Sequence, residues 1–140
     1  VRILMRAKTP TAAYPALARL IGGWPRILRN GENIAGRSAS DEATLSRNAE
    51  VRHPRSAIGF SRDSSTLILA TVDGRQAASA GMTIVELAAL MREFGAWDAL
   101  NFDGGGSTTM VIQGRVVNSP ADPTGEREIA NALLVVRRAP

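Results

Sequence analysis

The chain has no cysteine, a single histidine, a single lysine and few aromatic residues among its 140 positions. The absence of cysteine excludes disulfide bonds, thiolate catalysis and zinc sites built on cysteine. His53 is alone, which excludes a metal site made of several histidines. No apolar run reaches the roughly 18 residues that a membrane-spanning helix needs. Aromatic residues make up 4% of the chain, so aliphatic residues and alanines must fill the core.

The positive charge of the chain comes almost entirely from arginine. Lysine and arginine together number 17 against 13 acidic residues, which gives a formal charge of +4. The arginines are scattered, and the longest basic run is Arg137-Arg138. A nucleic-acid site typically combines a basic patch with aromatic platforms. We therefore predict no nucleic-acid partner.

The length and an ordinary share of hydrophobic residues predict one domain with a real core. The clearest helix signal is Thr-Ile-Val-Glu (83–86), a capping box followed by apolar residues at helical spacing. Gly95 is predicted to lie just beyond the helix C-terminus. Met91 and Phe94 are predicted to pack in the core.

Short apolar or β-branched runs separated by turn signals predict a series of strands. These are residues 26–28, 32–34, 56–60, 66–72, 98–102, 111–112, 115–117 and 132–136. Residues 35–52 are predicted to form a long loop with a short helix near 41–45, and residues 16–20 a helical turn. Turns join most of the strands, so we predict an α+β fold. It has a mixed, mostly antiparallel sheet with one main helix, about residues 83–94, packed on it.

The most distinctive stretch is Asn-Phe-Asp-Gly-Gly-Gly-Ser-Thr-Thr-Met (101–110), at the end of a predicted strand. It is not a P-loop or a dinucleotide fingerprint, because no lysine follows the glycines and no G-x-G-x-x-G opens a helix. Glycines let a ligand approach backbone N–H groups, which can bind an anion without a helix. The neighbouring amide, carboxylate and hydroxyls suit an anionic or sugar ligand. The alternative is a glycine-rich connection between strands with no ligand.

Further polar residues lie at the ends of predicted strands, where functional sites are usually found. The full set is His53, Arg55, Asp73, Arg75, Asn101, Asp103, Asn118 and Arg127. The arginines could hold a phosphate bidentately, and the two aspartates could supply acid–base or nucleophilic chemistry. The histidine titrates near neutrality unless its surroundings change its pKa.

Each of these residues also has a structural alternative. Asp73 could form a turn with Gly74 or pair with Arg75 on the surface. His53 precedes a proline, and such a histidine is more often structural than catalytic. Arg127 lies between two glutamates, and such charge runs are usually solvated loops. The residues alone leave these alternatives open.

Several segments, taken together and in order, resemble the phosphodiester glycosidase family. They are His-Pro-Arg-Ser-Ala-Ile-Gly-Phe (53–60), Val-Asp-Gly-Arg (72–75), Gly-Met-Thr-Ile-Val-Glu-Leu-Ala (81–88), the glycine-containing stretch (101–110), Val-Val-Asn-Ser-Pro (116–120) and Ala-Asn-Ala-Leu-Leu-Val (130–135). The resemblance covers about residues 21–136 and implies a single phosphodiester glycosidase-like domain over residues 1–140. The family usually has leucine where Phe102 stands. Its domains also carry an earlier region, with an Asn-Gly-aromatic-Phe segment, for which we find no counterpart.

The family includes enzymes that remove N-acetylglucosamine from a mannose-phosphate diester, and many bacterial relatives are labelled exopolysaccharide-biosynthesis proteins. The resemblance therefore implies a hydrolase of a sugar-1-phosphodiester, or of a related glycosidic linkage in a bacterial glycan. The alternative is a non-catalytic glycan-binding or cell-envelope module with the same fold. Asp103 and Asp73 are the candidate catalytic carboxylates, and His53 is a candidate acid–base. The candidate residues for binding the phosphate or sugar are Arg55, Arg75, Asn101, Gly104, Gly105, Gly106, Ser107, Thr108, Asn118 and Arg127.

We predict no cofactor and no metal site, with a divalent ion left open. The expected partner is a sugar phosphodiester or polysaccharide, without a transmembrane segment, and the resemblance implies an exported or cell-envelope protein. A sheet without its outer strands exposes unpaired backbone groups. We therefore also expect a homodimer or a companion N-terminal segment. A dimer would use an early strand, near residues 26–34, or another exposed edge.

Overall fold

The computed structural model describes residues 21–41 and 49–137. A five-stranded sheet in the order β2-β1-β5-β3-β4 and a separate β6–β7 hairpin make up the strands, and every described pair is antiparallel. The elements are β1 (Arg26–Arg29), β2 (Glu32–Asn33), α1 (Ala35–Asp41), β3 (Arg55–Phe60), β4 (Leu67–Val72), α2 (Ile84–Glu93), β5 (Asp98–Asn101), a 3-10 turn (Gly105–Ser107), β6 (Val111–Ile112) and β7 (Arg115–Val116). The predicted α+β class, with a mostly antiparallel sheet and one main helix, is confirmed.

Helix α2 covers one face of the sheet and supplies much of the core. Its side chains Leu87 and Met91 are fully buried and belong to the same cluster as Ile27 and Leu28 of β1. The helix lies close to β3, because a Cβ on Gly59 would come within 2.8 Å of the Met91 Cε atom. Burial of each large aliphatic side chain contributes about 1.5–3 kcal/mol to stability. The scarcity of aromatics is thus compensated by aliphatic packing.

The ends of α2 follow the local sequence signals. The Thr83 hydroxyl accepts a hydrogen bond from the Glu86 N–H at 3.2 Å, and the Glu86 carboxylate accepts one from the Thr83 N–H at 2.9 Å. The capping box is therefore confirmed. Gly95, directly after the C-cap residue Phe94, has φ +89°, the left-handed conformation in which glycine avoids strain.

Three segments of the chain leave the sheet at the same end. Strand β3 begins at Arg55, which lies opposite Val72, the last residue of β4. Strand β5 ends at Asn101, which lies opposite Ala57, near the start of β3. Since both pairings are antiparallel, the residues before β3, after β4 and after β5 emerge side by side. These three segments carry most of the predicted site residues.

Two predictions about buried and irregular segments are wrong. Residues 35–41 form helix α1 instead of a loop, and the Asn33 side chain accepts a hydrogen bond from the Ala35 N–H where the helix begins. Phe94 is 58% exposed, because it is the C-cap residue and lies beyond the buried stripe of α2. Residues 42–45 and 16–20, for which a helix and a helical turn were predicted, lie outside the described residues.

The predicted strand at residues 132–136 is also wrong. Residues 131–137 form no strand, and Leu134, Val135 and Val136 are at least 66% exposed. The run is apolar and β-branched, but no strand of the described residues pairs with it. Of the helices in the described ranges, none is long and apolar enough to cross a membrane.

Candidate functional site

The three glycines after β5 form a tight turn against the segment that precedes β3. A Cβ on Gly104 would lie 2.5 Å from the Pro54 carbonyl oxygen, so only glycine allows this approach. The N–H of Gly105 donates to the same carbonyl at 3.0 Å. Gly105 also has φ +60°, in the left-handed region that favours glycine. The turn is therefore held by the backbone of the neighbouring loop.

Most N–H groups of this turn already have partners. Those of Gly104, Gly105, Ser107 and Thr108 donate to Asp103 Oδ1, the Pro54 carbonyl, the Gly104 carbonyl and the Gly105 carbonyl, respectively. A hydrogen-bonded N–H group must give up its partner before it can bind an anion. The side chains around the turn are therefore better placed than its backbone to attract a ligand.

Two guanidinium groups approach adjacent glycines of the turn. Both terminal nitrogens of Arg75 lie 3.3 Å from the position that a Cβ on Gly105 would occupy. Nη1 of Arg127 lies 3.4 Å from the corresponding position at Gly106, and its Nη2 donates to the Ser107 hydroxyl at 2.6 Å. Both arginine side chains are exposed. Together they put two positive charges beside a surface without side chains, which is suitable for an anionic group.

His53 serves as a hydrogen-bond acceptor for one of these arginines. Its Nδ1 lies 3.2 Å from Nη2 of Arg75. A guanidinium only donates, so the imidazole is neutral and carries its proton on Nε2. Burial, followed by the charges of Arg75 and Arg55, lowers the pKa of His53 below its ordinary value. The histidine thus orients Arg75, and the acid–base role remains a prediction.

The two candidate catalytic aspartates have different environments. Asp73 accepts hydrogen bonds from the Asn118 side-chain amide at 2.9 Å and from the Ser119 N–H at 3.0 Å. Asn118 in turn donates to the Thr108 carbonyl at 3.0 Å. Asp103 is exposed, and among the described residues it accepts one hydrogen bond, from Gly104. Asp73 therefore anchors a loop, whereas Asp103 is accessible to a substrate.

Two of the predicted binding residues are buried. Arg55 is 6% exposed, and it donates to the carbonyls of Met82 and Val51, both at 2.8 Å. Burial, with the charge of Arg75, lowers the pKa of Arg55. Asn101 is 5% exposed and its amide donates to the Trp24 carbonyl at 2.6 Å. These contacts favour structural roles, and the binding roles of Arg55 and Asn101 remain predictions.

The structure brings some of the predicted residues together and separates others. Around the turn lie His53, Arg75, Asp103, Gly104, Gly105, Gly106, Ser107 and Arg127. Asp73 and Asn118 support the loop that carries Arg127, and Thr108 is 1% exposed with its carbonyl bonded to Asn118. Within the described ranges, no three His, Asp or Glu side chains are arranged to hold a metal ion.

Asp122 lies at the candidate site, and the sequence analysis did not identify it. Its carboxylate faces Gly106, where a Cβ would come within 3.0 Å of the Asp122 Cγ atom. Its Oδ2 lies 3.7 Å from Nε of Arg127. The available signal was Asp-Pro-Thr-Gly (122–125), a typical turn sequence that ends two residues before Arg127.

The α+β domain thus places two exposed arginines beside a glycine turn at the end of a strand. The sequence model of the phosphodiester glycosidase family matches residues 3–136, and the chain belongs to this family. The predicted resemblance is confirmed. Phosphodiester glycosidases are hydrolases by the description of the family.

Two relatives show how much of the family the chain represents. The N-acetylglucosamine-1-phosphodiester alpha-N-acetylglucosaminidase of Mus musculus is 32% identical over 111 residues, 74% of this chain and 21% of that protein. The SPbeta prophage-derived uncharacterized protein YomE of Bacillus subtilis is 38% identical over 85 residues, 61% of this chain and 13% of that protein. The chain thus spans about a fifth or less of the length of these relatives.

Solved structures show the same fold. The zebrafish N-acetylglucosamine-1-phosphodiester alpha-N-acetylglucosaminidase catalytic domain, auto-inhibited by its pro-peptide, matches with a TM-score of 0.63 and 30% identity. That match covers 73% of this chain and 35% of the other. A putative exported protein from Burkholderia pseudomallei K96243 matches with a TM-score of 0.52 and 47% identity, over 54% of this chain and 14% of that one.

The contrast between the two aspartates predicts different effects on stability. Asp73→Ala should lower the free energy of unfolding by about 1–3 kcal/mol, because it leaves the Asn118 amide and Ser119 N–H without their acceptor. The matched change Asp103→Ala should cost less than about 0.5 kcal/mol, since that carboxylate is exposed. Urea denaturation of both variants measures the difference. Equal losses would show that Asp73 does not anchor the loop.

The burial of His53 and its position beside Arg75 predict a component of stability that depends on pH. Folding lowers the pKa of His53 from its ordinary value of 6.5. The stability that neutral His53 contributes to the folded state is therefore fully present above pH 6.5. It is lost as the pH falls from that value through the lower folded pKa, because the unfolded chain takes up the proton first. His53→Gln should remove this component. Urea midpoints at pH 8 and pH 5 should therefore differ more for the parent protein than for the variant, and equal differences would contradict the assignment.

Proposed function

We propose that the chain contributes the phosphate-binding part of a hydrolase that cleaves a sugar-1-phosphodiester, or a related glycosidic linkage in a bacterial glycan. The observation that carries the proposal is the approach of Arg75 and Arg127 to adjacent glycines, with the exposed Asp103 directly before the glycines in the chain. The similarity to enzymes named for an N-acetylglucosamine-1-phosphodiester supports this substrate class. The proposal concerns the residues described above, since the relatives are much longer than this chain.

The chemistry follows from the charges at the site. A phosphodiester carries one negative charge, and charge-assisted hydrogen bonds from guanidinium groups hold its oxygens. Hydrolysis breaks the bond between the anomeric carbon and the phosphate oxygen, and water supplies a hydroxyl to the sugar and a proton to the solvent or the departing phosphate. Arg75 and Arg127 would stabilise the negative charge that develops on the leaving phosphate. Asp103 would act as the base or nucleophile at the sugar.

The competing proposal is a non-catalytic glycan-binding or cell-envelope module. The same arginines would then hold an anionic glycan, and turnover would be absent. One observation favours keeping it: of the two candidate carboxylates, Asp73 is bonded to Asn118 and Ser119, and Asp103 is the accessible one. The name of another similar structure, a putative exported protein, supports an exported or cell-envelope location for either function.

Substitution of the exposed carboxylate distinguishes the two functions. The substrate is an N-acetylglucosamine-1-phosphodiester of a simple alcohol, and release of free sugar is measured. Asp103→Asn should reduce kcat/KM by about 100-fold or more, or roughly 2.7 kcal/mol of transition-state stabilisation, because it keeps the shape and removes the charge. Asp63→Asn is the matched control, because Asp63 lies in the β3–β4 turn at the opposite end of the sheet. Turnover close to that of the parent would exclude Asp103, and no turnover by the parent would favour the binding module.

We also propose that the chain associates through an edge of its sheet, with a second copy or with a companion segment. The edge strands of the described sheet are β2 and β4, and on β4 Leu67 and Leu69 are 40% and 38% exposed. An edge strand presents unpaired N–H and C=O groups to another chain. The pro-peptide named for the zebrafish structure supports the companion alternative.

Light scattering at micromolar concentration tests the association. The parent chain should form a dimer, or a complex with an added companion segment, and Leu69→Lys should weaken it by placing a charge on the β4 surface. Val85→Lys is the matched control for the β4 edge, because Val85 is exposed on helix α2 near β2, the opposite edge strand of the described sheet. A monomer that hydrolyses the phosphodiester without any companion would contradict the proposal.

A further inference from the structure

The loop of residues 122–127 closes over the glycine turn and brings a carboxylate to it. Asp122 is held by its own turn, in which its carbonyl accepts a hydrogen bond from the Gly125 N–H at 2.9 Å. Gly125 has φ +88°, which allows this turn without strain. The carboxylate lies against the bare Cα of Gly106, at a place that a side chain on this residue would occupy. The position of Asp122 is therefore determined by both the loop and the glycine.

One oxygen of this carboxylate is buried without a hydrogen-bond partner. Oδ2 of Asp122 is shielded from solvent, although the side chain as a whole is 29% exposed. Burying an unpaired carboxylate oxygen is unfavourable, because it loses its hydration. The nearest cationic group is Nε of Arg127, at 3.7 Å, which is an ion-pair distance and too long for a hydrogen bond. Among the described contacts, the attraction between this carboxylate and the positive charge of Arg127 offsets the cost of burial.

The same arginine is bound on its other side to the turn. Its Nη2 donates to the Ser107 hydroxyl at 2.6 Å, while its Nε faces Asp122. The guanidinium therefore spans Gly106, between a carboxylate and a hydroxyl. A long exposed side chain normally has many rotamers, and ordering it on binding costs conformational entropy. A carboxylate that holds the guanidinium in place beforehand reduces this cost.

We propose that Asp122 is a positioning residue that holds Arg127 over the glycine turn, so that the guanidinium is ready to bind an anionic group of the substrate. This inference rests on the proposed function, in which Arg127 binds the phosphate. The Asp122 oxygen that faces Arg127 is buried, so this oxygen acts on the arginine and not on the substrate. Its negative charge weakens the attraction for an anion, so the carboxylate is useful only through the orientation of Arg127. Removal of the carboxylate should therefore weaken anion binding if Asp122 positions Arg127. It should strengthen anion binding if the negative charge acts on the anion alone.

The test uses Asp122→Asn, Arg127→Gln and the double variant, with Glu126→Gln as the control in the same loop. Calorimetry measures the binding of inorganic phosphate and of N-acetylglucosamine 1-phosphate, and kinetics on the phosphodiester separates KM from kcat. Asp122→Asn should weaken binding of both anions by about tenfold and raise KM, with kcat little changed. The double variant should bind no more weakly than Arg127→Gln alone, because the carboxylate acts through the arginine. Glu126→Gln should bind like the parent.

A merely structural role would give a different pattern. Asp122→Asn would then lower the thermal midpoint of unfolding. It would also reduce kcat to the same extent for the phosphodiester and for an uncharged aryl glycoside of the same sugar. The proposal is overturned if Asp122→Asn binds phosphate as tightly as the parent, or more tightly. It is also overturned if the losses from Asp122→Asn and Arg127→Gln add, or if the parent binds neither anion. If the parent binds the sugar phosphate but hydrolyses nothing, the hydrolase function fails, and the binding comparison still decides the role of Asp122.

Discussion

The antiparallel pairing of β3 with both β4 and β5 is the constraint on which the site depends. Arg55 is opposite Val72, and Ala57 is opposite Asn101, so three connections leave the sheet together. A shift of β5 by one residue would turn Asn101 and its neighbours to the other face of the sheet. The glycine turn would then lose its contact with the Pro54 carbonyl. The arrangement of the arginines is therefore a consequence of strand register more than of loop sequence.

Much of the fold could be predicted because its signals are local. The capping box of α2 requires only residues 83–86, and the apolar run of β4 is read from six consecutive side chains. The errors arise where a local pattern needs a distant partner. Residues 132–136 have the composition of a strand, but pairing depends on a neighbour that the pattern cannot supply. Phe94 continues the helical spacing by one residue beyond the point where the core ends.

The candidate site shows the same contrast between local signals and contacts with distant residues. The glycine stretch and the polar residues at strand ends could be identified from element boundaries, and the structure brings several of them together around the turn. The sequence could not show that Arg55 and Asn101 are buried, because their burial depends on β3 and β5 lying inside the sheet. It also could not rank Asp73 against Asp103, since the partners of Asp73 come from residues 118–119, far along the chain. Asp122 was not predicted as a candidate because an aspartate at the start of Asp-Pro-Thr-Gly (122–125) is already accounted for by the turn.

The three consecutive glycines are each enclosed by a different part of the molecule. Gly104 meets the backbone before β3, Gly105 meets the Arg75 guanidinium, and Gly106 meets the Asp122 carboxylate. No single compensating substitution elsewhere could make room for side chains at all three positions. A side chain at Gly104 would meet the backbone of Pro54, and one at Gly105 would also strain a left-handed φ of +60°. At Gly106 the obstacles are the ends of the Asp122 and Arg127 side chains, so a replacement there would displace charged groups and not the chain path.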